Sequence, residues 1–141
     1  MSVAGNHSYD AIIIGTGVAG LSTAMQLAAR GKRVLALDRR GISSGATRQA
    51  SGLLGQMRST VASTRLLMDS IRTLLEIENL LGQQVYRQTG SIRVAQTPER
   101  AEELRGHVDV ARAAGLKVEF IDRARATELM PYLRTDDLLE I

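Results

Sequence analysis

Gly15, Gly17 and Gly20 stand in the order G-x-G-x-x-G within "AIIIGTGVAG", and one acid, Asp38, closes the stretch "LSTAMQLAARGKRVLALD" that follows. Glycines at this spacing work by what they leave out. Gly15 permits a tight turn, Gly17 leaves room for a pyrophosphate against the main chain, and Gly20 lets a helix pack close to the strand before it. The free amides and the positive dipole end at the start of that helix favour phosphate oxygens. A carboxylate about 20 residues further on accepts hydrogen bonds from adenosine ribose hydroxyls, and its charge disfavours a 2′-phosphate. The chemistry read here is dinucleotide binding, without NADP. The glycine spacing alone leaves FAD and NAD both open.

These residues need a strand, a turn, a helix and a second strand to position them. Tyr9 to Ile14 is short and rich in β-branched residues, and reads as a fully buried strand bounded by Gly15. Val18 to Arg30 carries Leu21, Ala24, Met25, Ala28 and Ala29 at helical spacing, and Gly31 follows as a left-handed stop. Arg33 to Leu37 is a second strand, so the unit is βαβ and parallel by default. Residues 39–56, "RRGISSGATRQASGLLGQ", form a long small-residue segment, read as cofactor-lining.

Beyond it, Thr60 to Leu81 reads as a long helix with an apolar stripe at Leu67, Ile71, Leu74, Ile77 and Leu81, flanked by Leu66, Leu75 and Leu80, and Gly82 ends it. "QVYRQTGSIRVAQ", residues 84–96, reads as a hairpin about Thr89-Gly90. Thr97 and Pro98 open a helix that Gly115 closes, "KVEFI" (117–121) reads as a strand, and Asp122 caps a last helix, "RARATELM".

The totals set bounds. A chain of 141 residues is one ordinary domain in length. With no Cys, disulfides, thiolate zinc sites and Cys-ligated clusters are excluded. His7 and His107 lie far apart and read as structural or solvated. The net charge of +3 comes nearly all from scattered Arg, Lys standing only at 32 and 117, and 3% aromatic content leaves no base-stacking platform, so no nucleic-acid partner is expected. The longest apolar run, Ala11 to Ile14, spans no membrane, and "MSVAGNHSYD" lacks a signal-peptide layout, so the expected location is cytoplasmic.

From Asp10 onward, "DAIIIGTGVAGLSTAMQLAARGKRVLALDRRGISSGATRQASGLLGQMRS" resembles the N-terminus of the FAD-dependent amine oxidoreductases of the D-amino-acid oxidase superfamily, nearest the sarcosine and dimethylglycine dehydrogenases and the glycine/sarcosine oxidases. "QTGSIRVAQTPERAEELRGHVDVARAAGLKVEFIDRARATELMPYL" is similar to the part leading into that family's substrate domain. The resemblance implies an α/β fold: a Rossmann-like FAD-binding βαβ unit with the start of a substrate-domain β layer, incomplete on its own. It implies two regions, 1–81 binding FAD and 82–141 beginning the substrate domain. Gly15, Gly17, Val18, Ala19 and Gly20 would wrap the pyrophosphate, and Asp38 and Arg39 would flank the adenosine. Ser44, Gly45, Ala46 and Thr47 would hold phosphate and ribityl oxygens, and Ser51, Gly52, Leu53 and Leu54 would pass beside the isoalloxazine ring. Arg58 would meet a substrate carboxylate, with Arg48 the weaker candidate.

The activity implied is oxidation of a C–N bond of an amino acid or N-methylated amine: hydride passes to flavin N5 and water hydrolyses the imine. The dimethylglycine and sarcosine dehydrogenases carry flavin on a His in this loop; Gln49 stands there in "SGATRQASG", so non-covalent FAD is expected. Tyr86 and His107 could serve as bases by chemistry alone, and no catalytic residue is assigned. The expected partners are a small amine or amino-acid substrate and the remainder of the enzyme, as further chain or second subunit, since an open parallel sheet edge favours association. Two other readings stay open: an FAD-dependent hydroxy-acid or glycerol-3-phosphate dehydrogenase-like enzyme, and a non-catalytic nucleotide-binding subunit.

Overall fold

A computed structural model describes residues 8–141. His7 lies outside the described residues. The fold is α/β, with two strands and five helices among the described residues: β1 (Ala11–Ile14), α1 (Val18–Ala28), β2 (Val34–Leu37), α2 (Ala46–Gln49), α3 (Val61–Leu81), α4 (Pro98–Ala114) and α5 (Arg123–Leu129). Packing divides the chain into two compact units, Met1–Leu53 and Leu54–Ile141.

In the first unit β1 and β2 pair in parallel, Ala11 opposite Val34 through Ile14 opposite Leu37. Both strand entrances are tied: the Asp10 amide donates to the Arg33 carbonyl at 2.8 Å, and the Arg33 amide donates to Asp10 Oδ2 at 2.7 Å. The Gly15 amide donates to the Leu37 carbonyl at 2.7 Å and carries the ladder to the turn. α1 packs on both strands through half-buried Leu21, Ala24, Met25 and Leu27. One helix covers one face, so β1 alternates: Ala11 and Ile13 are half-buried while Ile12 and Ile14 are exposed. That corrects the expectation of a fully buried strand.

In the second unit α3 packs against α4. The buried positions of α4 are Ala101, Leu104, Val108, Ala111 and Ala114, a stripe at helical spacing whose alanines permit close approach. Met57 packs against the core formed by Ala95, Ala101 and Leu104. Both long helices start and stop where their caps predict. Thr60 Oγ1 accepts from the Ser63 amide and Thr97 Oγ1 from the Arg100 amide, while Gly82 (φ 64°) and Gly115 (φ 91°) close in the left-handed region. The α3 stripe at Leu67, Ile71, Leu74 and Ile77 is half-buried, and the flanking Leu66, Leu75 and Leu80 are exposed, as is Leu81. The residue pattern draws its boundary after 81; the packing boundary falls at 53/54, because α3 and α4 share a core.

The hairpin expected at 84–96 and the strand expected at 117–121 do not form as ladders. A strand exists only when its amides and carbonyls find partners. Here the partner is the C-terminal segment: Ala95 bridges Glu140 antiparallel, and the Ile121 amide donates to the Ile141 carbonyl at 3.1 Å. Among the described residues, 84–94 have no strand partner, although the Val85 and Tyr86 amides both donate to Glu78 Oε2 of α3.

Candidate functional site

The glycine turn and the loop after β2 enclose an open hollow of about 730 Å³ in the first unit. Of the residues expected at the cofactor, Gly15, Gly17, Val18, Ala19, Gly20, Asp38, Arg39, Ser44, Gly45, Ala46 and Thr47 line it, together with Ile14, Leu37 and Arg40. Ser51, Gly52, Leu53 and Leu54 are exposed and do not line it; Leu54 and Arg58 belong to the second unit.

The glycines meet different constraints. Gly15 has φ 101°, which L side chains rarely adopt. At Gly20 a methyl would overlap the Gly15 carbonyl oxygen and press on Ile13 Cγ2 at 3.3 Å, so its role is close packing of α1 on β1. At Gly17 the neighbour is Thr47 Oγ1, 3.3 Å from where a Cβ would stand. That hydroxyl also accepts from the Val18 amide at 3.1 Å. Gly17 is the N-cap of α1 and has no side chain to serve the next amides, while the Leu21 amide already bonds the Gly17 carbonyl. The amides of Ala19 and Gly20 are therefore left as donors at the hollow, backed by the helix dipole. A diphosphate fits this donor set.

Asp38 is gripped by the turn. Its Oδ2 accepts from the Thr16 amide at 2.9 Å and the Thr16 hydroxyl at 3.1 Å, and its Oδ1 accepts from the Arg40 amide at 2.9 Å. These donors stabilise the carboxylate, the Arg40 amide most, and hold its pKa near 2 rather than 3.8. A carboxylate offers about four acceptor positions, so one at Oδ1 remains for a ribose hydroxyl. Thr16 is buried, and its carbonyl in turn accepts from the Ser43 amide at 3.0 Å. Ser43 is a non-glycine residue at φ 55°, held in a conformation such residues seldom take. Thr16 and Arg40 were not singled out by sequence; the one signal for Thr16 is a hydroxyl between two glycines of the turn.

Arg93 Nη2 donates to the Met57 carbonyl at 3.0 Å, and so does Arg58 Nη1. The remaining candidates sit apart in chemistry. Arg48 and Gln49 are exposed on α2, and Tyr86 is half-buried beside Glu78. His107 Nε2 lies 4.0 Å from Glu103 Oε1, and its buried Nδ1 has no partner. Among the described residues no group of three His, Asp or Glu side chains could hold a metal ion, and no helix is long and apolar enough to cross a membrane.

The family model described as DAO, FAD dependent oxidoreductase, matches residues 10–140. The chain belongs to the DAO family of FAD dependent oxidoreductases. FAD is the cofactor of that family. Dimethylglycine dehydrogenase of Rattus norvegicus is 33% identical over 132 residues, which are 92% of this chain and 15% of that protein. A solved L-proline dehydrogenase from P. horikoshii superposes with a TM-score of 0.87 at 22% identity over 95% of this chain and 36% of its own, a likeness of fold. A glycine oxidase structure from Geobacillus kaustophilus gives a TM-score of 0.69 at 30% identity over 91% of this chain and 37% of its own. The chain thus spans about a seventh to somewhat over a third of the relatives it matches. Within the DAO family, the glycine turn, Asp38 and the 43–47 loop are the residues that could hold the ADP half of FAD.

Proposed function

We propose that this chain is the FAD-binding part of an oxidoreductase that oxidises the C–N bond of an amino acid or an N-methylated amine. The observation that carries the reading is the hollow where the free amides of α1 and the Asp38 carboxylate meet, in a member of the DAO family. In this reading Gly15, Gly17, Val18, Ala19 and Gly20 would cradle the pyrophosphate, Asp38 and Arg39 would flank the adenosine, and Ser44 to Thr47 would hold phosphate and ribityl oxygens. Ser51 to Leu54, which do not line the hollow, are the residues that would pass beside the flavin ring. FAD, when bound, accepts the hydride. The chain's own residues would orient the cofactor: the Ala19 and Gly20 amides would donate to phosphate oxygens, and Asp38 would accept from a ribose hydroxyl. Arg58 is the residue proposed to meet the substrate. The 1–81 region serves the cofactor and 82–141 begins the substrate layer.

The reading of the substrate class is supported by the relatives, among them a dimethylglycine dehydrogenase and a glycine oxidase. The test is anaerobic addition of dimethylglycine, sarcosine, glycine and proline to the FAD-loaded protein carrying this chain. Loss of the yellow flavin absorbance with one of these is expected. Bleaching by glycerol 3-phosphate or a hydroxy acid alone would replace the amine reading. Gln49 cannot form the imidazole–flavin bond, so acid-precipitated protein should be colourless with all FAD in the supernatant.

A further inference from the structure

The hollow of the first unit has three charged side chains on its wall: Asp38, Arg39 and Arg40. Asp38 is tied to the turn and keeps one acceptor position at Oδ1. A carboxylate that takes ribose hydroxyls also repels the phosphates next to them. The diphosphate of FAD carries a negative charge on each phosphorus, whereas the N-terminus of a helix offers only about half an elementary charge. The amides at the start of α1 therefore leave most of that charge uncompensated, and Asp38 adds to the deficit.

Arg40 is the side chain placed to make it good. Its amide donates to Asp38 Oδ1 at 2.9 Å, which fixes the residue just beyond β2. Its Nη2 lies 3.9 Å from where a Cβ on Gly45 would stand, so the guanidinium reaches across the loop to the Ser44–Thr47 wall of the hollow. That wall is joined to the start of α1, because Thr47 Oγ1 accepts from the Val18 amide at 3.1 Å. Arg100, Arg105, Arg125 and Arg134 each pair with a carboxylate. Among the described residues Arg40 pairs with none. A guanidinium brings five N–H donors in a planar fork that matches phosphate oxygens two at a time. Arg39, its neighbour, is the residue given to the adenosine.

We propose that Arg40 is the diphosphate-binding cation of this hollow, holding the FAD phosphates together with the α1 amides. The inference rests on the hollow being the site of the ADP half and adds the residue that balances its charge. The holoprotein carrying this chain is diluted, and the recovery of free-FAD fluorescence gives the Kd. Arg40→Gln should raise the Kd about tenfold or more, the order of a hydrogen bond to a charged group, with the circular dichroism unchanged. The gap should narrow as salt rises toward about 1 M, where the screening length is about 3 Å. Arg40→Lys should recover part of the loss. Arg30→Gln removes the same charge at the far end of α1, where Arg30 donates to Gln26, and should leave the Kd as it is. Displacement of FAD by excess ADP should weaken in Arg40→Gln, and displacement by adenosine should not. Should Arg40→Gln fail to fold, Arg40→Met gives the same reading. An unchanged Kd in Arg40→Gln, an equal loss in Arg30→Gln, or adenosine weakened as much as ADP would overturn the role of Arg40 and leave the hollow as the ADP site. Excess ADP that displaces no FAD from the wild type would remove the ADP reading of the hollow, and Arg40 with it.

Discussion

Thr16 and Asp38, 22 residues apart, are joined twice: the Thr16 amide and the Thr16 hydroxyl both donate to Asp38 Oδ2, at 2.9 and 3.1 Å. The pair locks the glycine turn after β1 to the end of β2. The acid therefore shapes the hollow before any ligand reaches it, and the oxygen left with capacity is Oδ1. Thr16→Val removes the hydroxyl and keeps the amide bond. We expect FAD affinity to fall roughly tenfold, the order of one hydrogen bond to a charged acceptor. Titration of FAD fluorescence quenching measures it, and an unchanged Kd would mean that the amide alone sets the carboxylate.

The same contacts make Asp38 acid-sensitive. Its native pKa, about 2, lies below its ordinary 3.8, so the stabilisation is fully present above about pH 4 and is lost as pH falls through 2. Asp38→Asn should lower the thermal midpoint relative to wild type at pH 6, and the two curves should converge near pH 2. Parallel curves across that range would show that the carboxylate charge contributes nothing to folding.

Two glycines in helices should respond in opposite directions. Gly20→Ala forces a methyl against the Gly15 carbonyl, and overpacking of this kind costs about 1–3 kcal/mol. Gly106 lies in α4 with nothing within 4 Å of the position a Cβ would take. Gly106→Ala should stabilise by about 0.5–1 kcal/mol through helix propensity. Urea unfolding of the two variants checks both signs.

Thr97 caps α4, the helix that carries most of the second unit's core. Thr97→Ala should destabilise by about 1 kcal/mol, and Thr97→Ser should not. If alanine proves neutral in chemical denaturation, Pro98 at the first helical position holds the helix start without the cap.

The elements most legible in the sequence are those fixed by local chemistry. α4 begins at Pro98 and ends at Ala114 as its Thr97 and Gly115 caps predict, and α3 begins after Thr60 and stops at Gly82. β1, α1 and β2 follow from an apolar run, a helical period and a second apolar run. The 84–96 and 117–121 segments were misread because alternation records a preference for a pleated surface, whereas a ladder also needs a partner. The partner came from residues 139–141, far away in sequence.

The amino-acid order determined by itself where the phosphate-seeking turn lies, which acid follows it and where the long helices start and stop, because each depends on contacts within a few residues. Tertiary structure decided the rest. It showed that Thr16 grips Asp38, that Thr47 reaches the first amide of α1, that one helix leaves Ile12 and Ile14 uncovered, and that Arg93 meets Arg58 on the Met57 carbonyl. Those pairs are separated by 22 to 36 residues or depend on which face a helix covers. No local pattern encodes a distance that exists only after the chain has folded back on itself.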